Sequence, residues 1–574
     1  MISYRLYHVK NKIENKIEVK PSMSLPDFKV QPQLFGIYGP AGLELAPEDR
    51  YRLFAEKIYP LLVGARPELE KCYCEENGRP SVEPVLVLGV TLWQFVEKVP
   101  DREAVERLRY PLGWKYALNH EMNEPVFDST VLVRFRGKLL EHEQGRLLFE
   151  RVLKGLQDAG LVPRKYKQRL DSSHVLGMIA KMSRLECVRE TIRLALRELD
   201  LILGEGERPE YWEVLWERYV ESKLDYKTPG VELKNKMQQA GEDIQRLRKW
   251  LEGQKEKQEV IEQAAQVKLL DRVFEEQYAV QEAEAIAVRR EEPVGAVKNP
   301  HDPDVQWAAK GQGKSKKEFE GYKVQVAETV NGEPVEKGEP AKNFLTAVSI
   351  QRATESDEAG RQQVLEEQGE MGLERPEVEY VDGAYVSAKE IVKVEEEGRQ
   401  LMGPAQPAPS PRNKGFSAEA FEVVVEERKA LCPGGKQSTQ CSRLEEEKTG
   451  KVSYRFEWSW ECQDCPLRNQ CVGEGQKHRS LVVGEHHSVL QKRRQEMKTP
   501  EFKEAMRNRN AIEGTQSELV RAHGARRARY RGLGKVRLQF YLIGAACNVK
   551  RWLRRVSWEI KRATQRDSCA LASC

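Results

Sequence analysis

Leu170-Asp171-Ser172-Ser173-His174-Val175 and Val378-Glu379-Tyr380-Val381-Asp382-Gly383 are two short extended stretches that each carry an aspartate. The first follows Gly160-Leu161-Val162-Pro163, a break after a helical region, and reads as a strand from Tyr166 that ends near Asp171. The second reads as a strand that stops at Asp382, with a helix from about 387 to 397 behind it. Between them, residues 321–327 and 344–350 alternate as strands. The polar tract 331–342 joins these two as a hairpin loop, and a helix should follow at about 357–369. Far downstream, Pro500-Glu501-Phe502 opens a helix expected to run through Glu513 to about Arg521.

Two segments interrupt this series. Residues 233–280 have almost no Gly or Pro and mix charges of both signs, which predicts a long helical hairpin or a coiled-coil-like insertion. After residue 403, Pro404, Pro407, Pro409 and Pro411 form a linker. Residues 421–425 and 452–460 then read as strands around a polar turn, a small β insertion. With both segments removed, the order is strand, strand, strand, helix, strand, helix, helix. That is the order of an RNase H-like domain, so the expected fold class is α/β. The expected organisation is an N-terminal helical, DNA-end-binding domain (1–160), core segments at 161–178, 296–402 and 486–560, a helical insertion (179–295), a β-rich insertion with cysteines (403–485) and a tail (561–574).

In such a core, two acids at strand ends and one from a late helix converge. Three carboxylates at one point repel each other unless cations neutralise them. Their hard oxygens suit Mg²⁺ or Mn²⁺. A pair of such ions activates a water or a 3′-hydroxyl for phosphodiester chemistry. Singly, an Asp after a strand is commonly a turn residue and a Glu in a helix is commonly solvated. The conjunction of Asp171, Asp382 and Glu513 is what points to chemistry.

The net charge of +4 is unevenly spread. Residues 491–565 hold 20 basic and 6 acidic side chains, a surplus of +14, which leaves −10 for the rest. Such a basic end suits phosphate neutralisation, though a merely solvated basic surface has the same composition. Arg521, Arg526, Arg527, Arg529, Arg531, Lys535 and Arg537, with Tyr530 among them, lie just beyond the Glu513 helix. There they are expected to line the groove by the metals and grip phosphates. Arg509 precedes Glu513 by one helical turn and is expected to orient it, to touch DNA, or to form a plain helix ion pair.

These motifs resemble the DDE (Asp-Asp-Glu) transposases of bacterial insertion sequences, in the branch with a β insertion between the second Asp and the Glu. Leu170 to Val175 resembles the family's first-Asp strand. His301-Asp302-Pro303-Asp304 followed by Gly321-Tyr322-Lys323 resembles the start of its second strand. Val381-Asp382-Gly383-Ala384-Tyr385 resembles the second-Asp motif. Arg509-Asn510-Ala511-Ile512-Glu513 with Arg526 to Leu533 resembles the Glu helix and its basic sequel. Phe127-Asp128-Ser129-Thr130 with Arg134-Phe135-Arg136 resembles its N-terminal helical region. The branch often has Tyr three positions before that Arg, where this chain has Met506. It often has Lys seven positions after the Glu, where this chain has Val520 followed by Arg521. The resemblance implies binding of double-stranded DNA at terminal inverted repeats, end cleavage, transfer of the freed 3′-hydroxyls to target DNA, and a homodimer on DNA. An inactive DNA-binding descendant and an RNase H-like nuclease are the competing readings.

Residues 82–99 carry a long apolar run, and Asp128-Ser129-Thr130 opens a helix with Arg134, Arg136 and Lys138 on its other faces. These helices could bind DNA ends or form a plain bundle. The start of the chain has no continuous apolar stretch, and no apolar run approaches the about 18 residues of a membrane span, so a cytoplasmic protein without membrane contact is expected. The 11 cysteines do not read as a disulfide framework. Cys462-x-x-Cys465 with Cys471 nearby, plus Cys432 and Cys441 earlier, could supply four thiolates to one Zn²⁺ ion, with Cys432, Cys462, Cys465 and Cys471 the first choice, or remain free thiols. Cys72 and Cys74 carry no signal, and His486-His487 could join a site, although such pairs are more commonly plain surface residues.

Overall fold

The computed structural model describes residues 24–25, 45–73, 80–222, 230–281, 284–310, 316–332, 336, 338–408, 416–447, 450–473 and 475–572. Cys74, Pro409, Pro411 and part of the 331–342 loop lie outside them, as does the start of the chain read for a leader. Helix accounts for 50% and strand for 15%, so the fold is mixed α/β.

The central sheet has six strands: β1 (Lys167–Leu176), β2 (Gln306–Lys310), β3 (Lys317–Thr329), β4 (Leu345–Arg352), β5 (Val378–Tyr380) and β6 (Gln400–Met402). β3 lies antiparallel to β1, and β4 and β2 are both antiparallel to β3. On the other edge of β1, β5 is parallel to it and β6 is parallel to β5. The spatial order is therefore β4-β3-β1-β5-β6, with β2 extending the start of β3. β1 does not end near Asp171. It runs five residues further, because Ser172 to Leu176 pair with Gln325 back to Gly321 of the long β3. The polar Ser-Ser-His run reads as a strand end, but a long partner carries it on.

Helix Asp357–Glu370 starts where Ser356 accepts the amide of Ala359, and Ala388–Glu396 where Ser387 accepts that of Glu390. Both helices are tied to β5 by a buried ion cluster. Arg361 binds Glu379 at 2.6 and 3.0 Å and Glu390 at 2.6 Å, and Arg399 binds Glu379 at 2.8 Å. Helix Pro500–Asn510 is interrupted at Ala511 rather than continuous, and resumes as Ile512–His523. The chain closes with a single helix, Leu533–Ala572.

One apolar core runs from the helices of residues 50–158 through β3 and β4 to Leu533–Ala572. Helix Pro84–Glu97 lies in its centre, with Trp93 packed 5.8 Å from Trp114. Arg136, expected on a polar face, is buried and pairs with Asp101 at 2.6 Å, and Lys138 donates to the carbonyl of Cys72. Two of the three basic side chains expected outside thus serve the bundle.

The segment between β1 and β2 is not a coiled coil. Helices Arg184–Ile202, Gly230–Glu252 and Ala265–Gln277 fold around a separate core that includes Ile192, Ile244, Leu247, Leu270 and Phe274. A turn at Gly253 ends the middle helix, and a hairpin of Tyr278–Val280 with Ile286–Val288 closes the unit. Asp243 is buried there, accepting from the Tyr219 hydroxyl and from Arg218. Its charge reads as surface in the sequence. The two ends of the unit are stitched together. Asn299 donates to the carbonyl of Ala180 at 2.9 Å, and Gly177 lies against Val305.

In the second unit, the two expected strands do not pair with each other. Glu422–Val424 pairs with Lys429–Leu431, while Lys451–Glu457 is the middle of a three-stranded sheet with Gln440–Glu446 and Ser480–Gly484.

His487 is not a surface residue: it and His523 are both buried. Burial lowers both from the ordinary value to about 4, with Arg494 adding to the effect at His487. Because the folded pKa is depressed, the neutral imidazoles stabilise the fold above pH 6.5, and that contribution disappears as pH falls towards 4. Between pH 7 and 5 each is expected to cost about 2 kcal/mol. Thermal unfolding across that range should reveal the loss, and a His487→Gln, His523→Gln double variant should flatten it. Equal slopes in both proteins would assign acid sensitivity elsewhere.

Candidate functional site

Asp171, Asp382 and Glu513 come from three separate elements and meet at one side chain. Asp171 stands in mid-β1 opposite Val326, its Oδ1 accepting the Ser172 amide at 2.8 Å. Asp382 lies two residues beyond β5, its Oδ1 held by the Ala384 amide at 2.8 Å. Glu513 occupies the first turn of Ile512–His523, where the exposed amides favour an anion. The Arg509 guanidinium reaches all three: Nη2 is 3.0 Å from Asp171 Oδ2 and 3.9 Å from Asp382 Oδ2, and Nη1 is 3.5 Å from Glu513 Oε1. Arg509 Nε is buried with no hydrogen-bond partner. Side-chain exposure rises across the triad from 11% at Asp171 through 37% at Asp382 to 72% at Glu513. The cleft therefore opens on the Glu513 side.

The helix bearing Glu513 is tied to the sheet by charges that sequence reasoning missed. Glu328, wholly buried at an irregularity of β3, accepts from Arg169 at 2.6 Å, from the Thr515 hydroxyl at 2.8 Å and from Arg551 at 2.8 Å. Arg169 also donates to the carbonyl of Asn508. Gln516 reaches the carbonyl of Ser172 beside Asp171 at 3.3 Å. A second missed tie lies in His301-Asp302-Pro303-Asp304. Asp302 accepts the Tyr322 hydroxyl at 2.6 Å and the Gly532 amide at 3.1 Å, and Asp304 accepts the Leu533 amide at 3.0 Å. Two carboxylates thus cap the N-terminus of Leu533–Ala572. The turn-rich motif was the available signal, although its target 230 residues on was not.

The basic segment does not line the carboxylates directly. Arg526 and Arg527 are exposed, but their backbone is stitched to Leu176 at the far end of β1. Five strand steps from Asp171 is about 16 Å. Arg521, Arg531 and Lys535 are exposed too, Arg531 donating to the carbonyl of Met178. Arg529 is half-buried over the Phe95 ring and donates to the carbonyl of Val99. Tyr530 is half-buried 5.6 Å under Arg136, and Arg537 is half-buried. Those three serve packing rather than an open groove.

Two family models match the chain. One, described as a transposase DDE domain, covers residues 431–553; the other, a transposase domain (DUF772), covers residues 44–138. Both matches are to transposase families, and together they support a DDE transposase of an insertion element. The first match holds Arg509, Glu513 and the basic segment, and the second holds most of the N-terminal helices; Asp171 and Asp382 lie in neither. No curated protein and no solved structure matches the chain. A transposase acts on DNA, as a cutting and joining enzyme. Among the described residues, no helix of this transposase is long and apolar enough to cross a membrane.

Among the described residues, one trio of metal-capable atoms lies within 4.8 Å of one another: those of Glu518, His523 and Cys547. Arg551 already neutralises that Glu518 carboxylate, at 2.9 and 3.0 Å, and His523 Nδ1 faces the carbonyl of Phe95. Burial pushes the Cys547 thiol up to about 12. A protonated thiol beside a guanidinium suits packing better than a cation.

Proposed function

We propose that this transposase cleaves DNA at the ends of its insertion sequence and joins the freed 3′-hydroxyls to target DNA, with Asp171, Asp382 and Glu513 as its catalytic triad. The observation that carries the reading is the convergence of those three carboxylates on Arg509. An RNase H-like core is supported by the strand order β4-β3-β1-β5-β6, with β5 and β6 parallel to β1 and β3 antiparallel to it.

The donor set fits Mg²⁺ or Mn²⁺. All three groups offer hard carboxylate oxygens, and they tolerate one another here only around a cation, a place Arg509 now fills. When bound by Asp171, Asp382 and Glu513, such ions supply an activated water or 3′-hydroxyl and stabilise the leaving oxygen. The chain's own groups do the positioning. The Ser172 and Ala384 amides fix the first two carboxylates before DNA arrives. The exposed Glu513 completes the set from the solvent side, and Arg509 is free to turn from the carboxylates to a phosphate. Exposed Arg521, Arg526, Arg527, Arg531 and Lys535 would grip backbone phosphates flanking the cut, without reading bases. Two chains would hold the two ends of the element.

The test is strand cleavage of DNA bearing the element's own ends in Mg²⁺ or Mn²⁺. Cuts confined to the end junctions are expected. Equal cutting of DNA without those ends would favour a general nuclease, and binding without cutting in either metal would favour an inactive DNA-binding descendant.

A further inference from the structure

The unit between β6 and the Glu513 helix has a small apolar core. Its buried side chains include Phe421, Val423, Phe456, Trp458, Leu481 and Val483, shared between a two-stranded and a three-stranded sheet. Units of this size commonly need a staple beyond hydrophobic burial. Four cysteines stand where such a staple would go. Cys432 lies in the turn after Lys429–Leu431, Cys462 and Cys465 in the turns after Lys451–Glu457, and Cys471 at the end of helix Arg468–Cys471. All four line one cavity of about 20 Å³, room for a single water-sized ion. A Cβ built on Gly434 would lie 3.5 Å from Cys465 Sγ and 3.7 Å from Cys432 Sγ, so these two sulfurs flank the same glycine.

Amide donors and two guanidinium groups face these sulfurs. The Lys436 amide donates to Cys432 Sγ at 3.4 Å, and the Arg479 amide donates to Cys462 Sγ at 3.5 Å. Arg468 and Arg479 line the same cavity and would offset the net charge of four thiolates around a divalent ion. All four cysteines are free of disulfides. No three of their sulfurs are among the ligand atoms now within 4.8 Å of one another, so side-chain rotation must draw them in to the roughly 2.3 Å Zn–S distance.

We propose that Cys432, Cys462, Cys465 and Cys471 bind one Zn²⁺ ion as four thiolates, a structural site that joins the two sheets of this unit. Binding forms four Zn–S bonds and releases the four thiol protons to solvent, with no change of oxidation state. The ion stands apart from the carboxylate site and takes no part in strand cleavage.

The experiment is metal analysis of the full-length protein purified without chelator. About one zinc per chain is expected. Cys465→Ser and Cys471→Ser should each lose most of it, whereas Cys441→Ser and Cys547→Ser should keep it. Cys471→His supplies another zinc ligand and should retain the metal where Cys471→Ser does not, which separates ligation from misfolding. Cobalt exchanged into the parent should give thiolate-to-metal charge-transfer absorption. A parent that carries no zinc and whose cysteines in this unit react at once with a thiol reagent would overturn the proposal. Zinc kept by Cys465→Ser and Cys471→Ser but lost from Cys547→Ser would also overturn it, placing the metal beside Glu518 and His523.

Discussion

Asp171→Asn is expected to slow strand cleavage at least about 1000-fold while changing affinity for end DNA only a few-fold. The substitution keeps the shape of the side chain, and its Oδ1 can still accept the Ser172 amide. What disappears is the negative charge facing Arg509 Nη2 at 3.0 Å, and with it one hard anionic oxygen for a divalent cation. Asp382→Asn and Glu513→Gln should behave alike, although Glu513 is far more exposed. Single-turnover nicking with saturating enzyme reads the chemical step, and filter binding reads affinity. An Asp171→Asn protein that nicks at the parent rate would remove these carboxylates from the reaction. Equal losses in nicking and binding would make Asp171 a DNA-binding or folding residue instead.

Glu328→Ala is expected to destabilise the core by about 3–5 kcal/mol. Glu328 is wholly buried, and its carboxylate is shared by the guanidinium groups of Arg169 and Arg551 and by the Thr515 hydroxyl. Removing it takes the carboxylate from the nearly buried Arg169 and one of the two carboxylates from Arg551, which keeps Glu518. The damage should be local as well as global. Thr515 is two residues from Glu513, so the Ile512–His523 helix loses its hold on β3. Denaturant unfolding measures the first effect, and amide exchange in residues 512–523 the second. Glu328→Gln keeps the hydrogen bonds without the charge and should fall between parent and Ala. If Glu328→Ala unfolds at the parent's denaturant concentration with unchanged exchange, the tie between helix and sheet lies in apolar packing.

The contrast between Glu328 and its neighbours marks what the sequence could convey. The strands around 321–327 and 344–350 were legible because their alternation is a local signal, and the helices expected at about 357–369 and 387–397 form close to those bounds, capped by Ser356 and Ser387. Arg509 and Glu513 stand one helical turn apart, so their pairing was readable too. Glu513 was expected beside Asp171 from the order of the elements alone, whereas the contact of Arg509 with Asp171 was not, since it depends on how a helix 338 residues later docks on a strand. Charged side chains misled most. Glu328, Arg361, Glu379, Arg136 and Asp243 are all buried in ion clusters, yet each reads as a surface residue when its partner lies far along the chain. The same blindness applied to Arg529 and Tyr530, whose place in a basic run suggested a DNA groove but whose neighbours are Phe95, Val99 and Arg136.

The helical unit between β1 and β2 departs from the sheet and returns to it through one doorway, with Ala180 bonded to Asn299 and Gly177 against Val305. Because it keeps its own core, it behaves as a cassette. A few flexible residues in its place would close the same gap without pulling on β1, so the segment can be exchanged, enlarged or lost with little mechanical consequence for the strand that carries Asp171. Selection could then refit this part of the protein to new surroundings while leaving the cutting machinery untouched.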